Sequence, residues 1–236
     1  MTEKTAKRGD RVFYGRRRGR PLRAGMQALL DEVLPERALD TTNLAPDSLD
    51  PATLFAPSVA RHWLEIGFGG GEHLSAQLAA NPDVGTIGCE PFLNGVASLL
   101  RHVEEDVGKF DRLRVVADDA RPLVDALKPG TLDRIFVLHP DPWPKKRHHF
   151  RRIIQIDSIA RFHTLLRPGG ELRIATDDIG YLRWILARVT AHTGFRWTAC
   201  GPRDWKDRPE DWPETRYEAK GRLQGRPPTY LRFERV

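Results

Sequence analysis

Leu132-Asp-Arg-Ile-Phe-Val-Leu-His-Pro-Asp-Pro-Trp-Pro-Lys-Lys-Arg-His-His149 decides how this 236-residue chain is read. Its first seven residues have the length and apolar content of a strand buried in a sheet. His139 to Pro144 then place one acid, Asp141, and three stiffening prolines around Trp143 at the carboxyl end of that strand. In open α/β sheets, ligands bind at this edge. Lys145 to Arg152 follows with five formal positive charges and no acid. A carboxylate at a ligand edge beside a segment suited to a polyanion points to chemistry on a nucleic acid. The plainer alternative is a proline-stiffened loop with a solvated basic face.

On both sides the pattern alternates. His62–Ile66, Thr86–Glu90, Leu113–Ala117 and Glu171–Thr176 read as strands. Glu72–Ala80, Asn94–Val107, Pro122–Leu127, Arg152–Leu166 and Ile179–His192 read as helices between them. Phe195–Cys200 and Thr229–Val236 are two further strand candidates. This succession predicts an α/β domain over 59–236, a mostly parallel sheet with helices on both faces. Met26–Leu34 is predicted as a short helix ending before Pro35, and 24–58 as a connecting segment.

The chain carries a net charge of +6, unevenly spread. Residues 1–23 hold nine Lys/Arg against Glu3 and Asp10, a net of +7, so the remaining chain stands at −1. Basicity confined to an arm and a loop is expected of phosphate contacts, and the arm is predicted to be flexible until a partner orders it. No apolar run reaches the roughly 20 residues of a membrane span, and the N-terminus lacks the apolar core of a secretory signal, so a cytoplasmic protein is expected. Cys89 and Cys200 are too few for a disulfide framework or a structural zinc site, and no metal is expected.

Gly67-Phe-Gly-Gly-Gly71 joins a strand directly to a helix. The sixth position of a dinucleotide fingerprint is here Glu72, which would compete with a pyrophosphate for the helix amides. An acid instead precedes the turn, Glu65, which suits a ligand carrying positive charge such as S-adenosylmethionine. Glu90 ends the second strand, where a carboxylate can accept from ribose hydroxyls, although NAD sites share that feature. Asp119 follows the third strand, placed to reach an adenine amino group, with Asp118 as its rival. A helix N-cap or a solvated turn is the alternative for each acid taken singly.

With these acids in place, the chain resembles the bacterial tRNA (guanine-N7-)-methyltransferase family from about Phe13 to the C-terminus. The segments that carry the resemblance are Phe13-Tyr-Gly-Arg-Arg-Arg-Gly-Arg-Pro-Leu22, Leu64–Gly71, Asp119-Ala120, Pro140–Trp143, Ala175-Thr-Asp177 and Thr215-Arg-Tyr-Glu218. The most specific is the run Pro140-Asp-Pro-Trp-Pro-Lys-Lys-Arg-His148. The resemblance implies a Rossmann-like class I methyltransferase fold with an antiparallel strand near one edge. It implies S-adenosylmethionine as cofactor, contacted by Glu65, Gly67, Phe68, Gly69, Glu90, Asp119, Ala120 and Asp141. Asp141 is also implied as the active-site acid. Lys145, Asp177, Thr215, Arg216, Tyr217 and Glu218 are implied as substrate contacts, with Lys146, Arg147, Arg151 and Arg152 facing RNA. His139 departs from the family, which has an aromatic Phe there.

Guanine N7 has a free lone pair, so no strong base is required, and the methyl is expected to move by in-line displacement. Methylation leaves the purine cationic, so a nearby carboxylate favours the transition state over the ground state. Asp141 is the candidate, with Asp177 second unless it merely caps the next helix. Trp143 could stack on the base or anchor its loop. The expected substrate is the tRNA variable loop, the expected partner tRNA alone, and the expected state a monomer or homodimer. Two other readings stay open: an RNA-binding module without turnover, and an NAD-dependent oxidoreductase.

Overall fold

The computed structural model describes residues 14–104 and 106–236; the first half of the basic arm, residues 1–13, lies outside them. Seven strands form one sheet: β1 Arg61–Ile66, β2 Val84–Cys89, β3 Leu113–Val116, β4 Leu132–Leu138, β5 Leu166–Thr176, β6 Phe195–Trp197 and β7 Thr229–Arg235. Their order is β3-β2-β1-β4-β5-β7-β6. The first five strands are parallel, and β7 runs antiparallel to both its neighbours, β5 and β6. The order turns back between β1 and β4, which is where a parallel sheet opens a crevice at its carboxyl edge.

The helices are α1 Ala24–Ala28, α2 Leu34–Arg37, α3 Glu72–Ala80, α4 Leu93–Val103, α5 Val107–Asp111, α6 Ala120–Ala126, α7 Ile156–Leu165, α8 Ile179–Val189, α9 Arg203–Lys206 and α10 Arg216–Leu223. Strand alternation sends β4 side chains to opposite layers. Ile135 and Val137 join Leu123 and Val124 of α6, Phe162 of α7 and Ile185 of α8 in one core. Phe136 and Leu138 join Trp63, Trp212 and Tyr230 on the other face. On that face α3 and α4 also bury Leu74, Leu78, Val96 and Leu99 beside Leu113 and Val115. Each fully buried Leu or Phe contributes roughly 1.5–3 kcal/mol relative to exposure.

Among the boundaries that differ from the sequence pattern, three have a plain local account. The first helical segment does not stop before Pro35: a π-helical turn, Leu29–Val33, widens the helix, and Pro35 sits in the first turn of α2. A proline is tolerated there because its missing N–H is not needed. The helix expected from Arg152 begins at Ile156, because Gln155 and Ser158 close a capping box and Arg152–Gln155 stay extended. The strand expected from Glu171 begins earlier, at Leu166, so that Arg167–Gly170 lies within β5, beside a register shift against β4.

Residues 14–20 lie against the domain. The Leu93 N–H donates to the Arg17 carbonyl at 3.0 Å, and the Gly19 N–H to Asn94 Oδ1 at 2.9 Å. Arg17 reaches Asp118 at 2.5 Å. This part of the arm, expected to be flexible until a partner orders it, thus has backbone and side-chain partners on α4.

Candidate active site

A cavity of about 400 Å³ opens at the carboxyl edge of β1, β2 and β4. The glycine turn, Glu90, Asp118 to Ala120 and the His139–Trp143 loop line it, and Tyr14 to Arg16 cross its rim. Its size suits a small-molecule cofactor.

The glycine turn works by close approach. Gly67, Gly69 and Gly71 all have positive φ, at 75°, 56° and 81°. α4 comes so near that a Cβ on Gly95 would lie 2.2 Å from the Gly69 carbonyl oxygen. Gly95 was not singled out from the sequence; its signal was a glycine inside a helical run. Phe68 is buried beneath the turn among Leu74 and Leu99 and anchors it from the core side.

Glu90 sits at the end of β2 with each carboxylate oxygen engaged once. Oε2 accepts from the Gly69 N–H and Oε1 from the Phe92 N–H, both at 2.9 Å. A carboxylate has about four acceptor positions, so the pair keeps capacity for ribose hydroxyls. Burial raises the Glu90 pKa; the two amides lower it, and the Asp141 charge raises it again. Asp141 has no hydrogen bond or ion pair among the described residues, and burial raises its pKa also. Two neighbouring carboxyls whose ionisation is opposed fit a ligand that brings positive charge and hydroxyls.

Other acids are committed elsewhere. Glu65 is 2% exposed, and its Oε2 meets His73 Nδ1 at 2.7 Å, so it is held within the protein and does not line the cavity. Asp119 lines the cavity but also caps α6 through the Arg121 N–H and pairs with the Arg121 guanidinium at 2.5 Å. Ala120, buried at the first position of α6, lies beside it. Glu72 turns outward to Arg216, tying α3 to α10.

The expected substrate segment forms a second cluster beside the cavity. Thr215 and Glu218 close a capping box for α10. Glu218, 2% exposed, also faces His139 Nε2 at 3.3 Å. Asp177 does not cap a helix; Asp178 does, accepting from the Tyr181 N–H at 2.6 Å. Asp177 instead meets Arg226 at 2.8 Å and the Tyr217 hydroxyl at 3.3 Å. The Tyr217 ring lies 4.8 Å from that of His139.

The basic loop divides by exposure. Lys145, Lys146 and Arg147 are exposed, and no hydrogen bond or ion pair of their side chains is seen among the described residues. The Arg151 guanidinium is enclosed by the rings of Tyr14, Trp143 and Phe150 at 4.5, 4.9 and 5.5 Å. Arg152, expected to face RNA, is only 4% exposed. Its Nε donates to the Pro142 carbonyl at 2.7 Å and its guanidinium lies over Tyr181 and Trp184. An apolar slot with an acceptor at its end holds an arginine that the charge pattern alone assigned to solvent.

Residues 60–231 match a family model described as "Putative methyltransferase". The fold is similar to a crystal structure of the 16S rRNA methyltransferase KamB, with a TM-score of 0.58, 13% identity, and coverage of 82% of this chain and 99% of that one. It is also similar to an antibiotic-related methyltransferase, with a TM-score of 0.52, 16% identity, and coverage of 76% and 89%. Fold, glycine turn and cavity together define a class I methyltransferase that uses S-adenosylmethionine. A tRNA (guanine-N(7)-)-methyltransferase of Rhodospirillum rubrum is 54% identical over 96% of this chain and 88% of its own. One of Chelativorans sp. is 44% identical over the whole of both chains. This chain belongs to the tRNA (guanine-N(7)-)-methyltransferase family.

Proposed function

We propose that this protein methylates N7 of a guanine in the variable loop of tRNA, with Asp141 as its active-site acid. The observation that carries the assignment is Asp141 itself, a carboxylate with no partner among the described residues on the cavity loop, with three exposed cations beginning four residues on at Lys145. When bound, S-adenosylmethionine supplies the methyl group. Glu90 would hold its ribose, Asp119 its adenine, and Gly67 and Gly69 would let it lie close to the backbone.

The protein's own contribution is placement and charge. Asp141 accepts from the N1–H and N2–H edge of the guanine and faces the positive charge that methylation leaves on the purine, which lowers the barrier by charge stabilisation. Orientation of N7 supplies much of the remainder, since positioned intramolecular reactions gain up to about 7–11 kcal/mol. Trp143, half-buried on the cavity wall, offers a stacking face, a contact of about 1–3 kcal/mol. Asp177, Tyr217 and the capped start of α10 enclose the base from the far side. Lys145, Lys146 and Arg147 bind phosphates, reading backbone and shape. A tRNA substrate supports the reading of a cytoplasmic protein, working as a monomer or homodimer without an obligatory protein partner.

The test uses labelled S-adenosylmethionine and a tRNA transcript with a variable-loop guanine, followed by borohydride and aniline. One cut at that guanine is the expected result. Label without the cut moves the target atom or base, and tight tRNA binding without label favours an RNA-binding module. Asp141→Ala is expected to abolish transfer in a folded protein; near-normal turnover would remove its role.

A further inference from the structure

We infer that Arg152 is the positioning residue for Asp141, acting on the transfer step and not on RNA affinity. The inference deepens the reading given above and rests on it.

The loop that presents Asp141 is stiffened by prolines but makes almost no hydrogen bonds of its own. Pro140, Pro142 and Pro144 have no N–H to donate. His139 and Trp143, flanking it, have φ of 49° and 42°, a strained region for a non-glycine residue that persists only where surroundings over-determine it. Among the described residues, one hydrogen bond reaches Pro140–Pro144: Arg152 Nε to the Pro142 carbonyl, 2.7 Å. That carbonyl belongs to the residue next to Asp141.

Arg152 is itself fixed. Its guanidinium lies 4.8 Å from the Tyr181 ring and 4.5 Å from the Trp184 ring. Both walls are tied to one strip of backbone: Trp184 Nε1 donates to the Ile154 carbonyl at 2.7 Å, and the Ile154 N–H reaches the Tyr181 hydroxyl at 3.4 Å. A rigid slot on α8 thus carries its position through Arg152 to the Asp141 loop. At 4% exposure the residue offers a phosphate little surface compared with the exposed Lys145, Lys146 and Arg147.

The experiment compares wild type, R152K, R152Q and W184L by kcat, by KM for each substrate, and by the salt dependence of tRNA affinity. R152Q should lower kcat by roughly 10–100-fold, the scale of a small misplacement near reacting atoms. R152K, which keeps a donor but loses the stacked plane, should fall between it and wild type. W184L removes one wall and no charge, so it should lower kcat in the same sense and keeps the test alive if an Arg152 variant does not fold. The salt slope should be unchanged in all three, whereas loss of a phosphate contact would reduce it by about 0.7–0.9. A reduced slope with normal kcat overturns the inference and makes Arg152 an RNA contact. D141N separates the two readings. If D141N turns over normally, the role of Asp141 fails. If D141N is impaired and R152Q is not, the positioning role fails. If Arg152 acts through Asp141, adding R152Q to D141N costs far less than R152Q alone, since coupled residues are not additive.

Discussion

Asp141 and Glu90 are both harder to ionise than free carboxyls, because each is partly desolvated at the cavity, Glu90 the more deeply buried, and Asp141 adds its charge to the burden on Glu90. Their folded pKa values therefore lie above the unfolded ones. As pH falls through that window the fold regains stability from these two groups, while the carboxylates that bind a cation are lost. Affinity for S-adenosylmethionine should accordingly weaken toward acid pH more than affinity for its uncharged-sulfur product, measured by calorimetry across pH. Equal pH dependence would show that neither carboxyl meets the sulfonium charge. Glu90→Gln keeps the shape but halves the acceptor capacity, so cofactor affinity should drop by roughly tenfold or more, about 1.5–3 kcal/mol for a charged hydrogen bond. tRNA affinity should stay within twofold.

Two elements meet closely enough for one methyl group to matter. In Gly95→Ala the added carbon would fall 2.2 Å from the Gly69 carbonyl, so α4 or the glycine turn must move. Overpacking of this kind costs about 1–3 kcal/mol; thermal unfolding should report it, and cofactor affinity should fall with it. A variant of unchanged stability and affinity would mean that α4 does not set the turn. On α10 the capping box does a similar job for the substrate cluster. Thr215→Ala should cost about 0.5–2 kcal/mol of stability and raise KM for tRNA by loosening Tyr217. No helix of the described residues is long and apolar enough to cross a membrane.

At the scale of the whole molecule, two groups of exposed cations distant in sequence flank the cavity. Arg16, Arg18 and Arg20 precede the domain, and Lys145, Lys146 and Arg147 follow β4; all are exposed. Arg17 and Tyr14 hold the first segment at the cavity rim, through Asp118 and through Phe150 and Arg151. The two segments should form one footprint on tRNA. Replacing Lys145, Lys146 and Arg147 together by Ala should flatten the logarithmic salt dependence of tRNA affinity by about 2–3, at roughly 0.7–0.9 for each phosphate contact. Cofactor affinity should not change, and an unaltered slope would take this loop out of the footprint.

The parallel order of the sheet, the glycine turn, and the places of Glu90, Asp119 and Asp141 at strand ends were legible because each is local: side-chain alternation, turn chemistry and chain position determine them. The resemblance supplied the inverted β7, which no local pattern reveals. What tertiary structure decided was which charges are free. Glu65 and Asp141 look alike in the chain, yet one is closed against His73 and the other is left without a partner. Lys146 and Arg152 both belong to one basic run, yet one stays in solvent and the other fills a slot between Tyr181 and Trp184. Tyr181 and Trp184 lie about thirty residues from Arg152, and even His73, eight residues from Glu65, meets it only when α3 packs on the sheet. Burial and pairing, which govern whether a charged group meets a ligand or the protein's own interior, therefore exist only once the chain has packed.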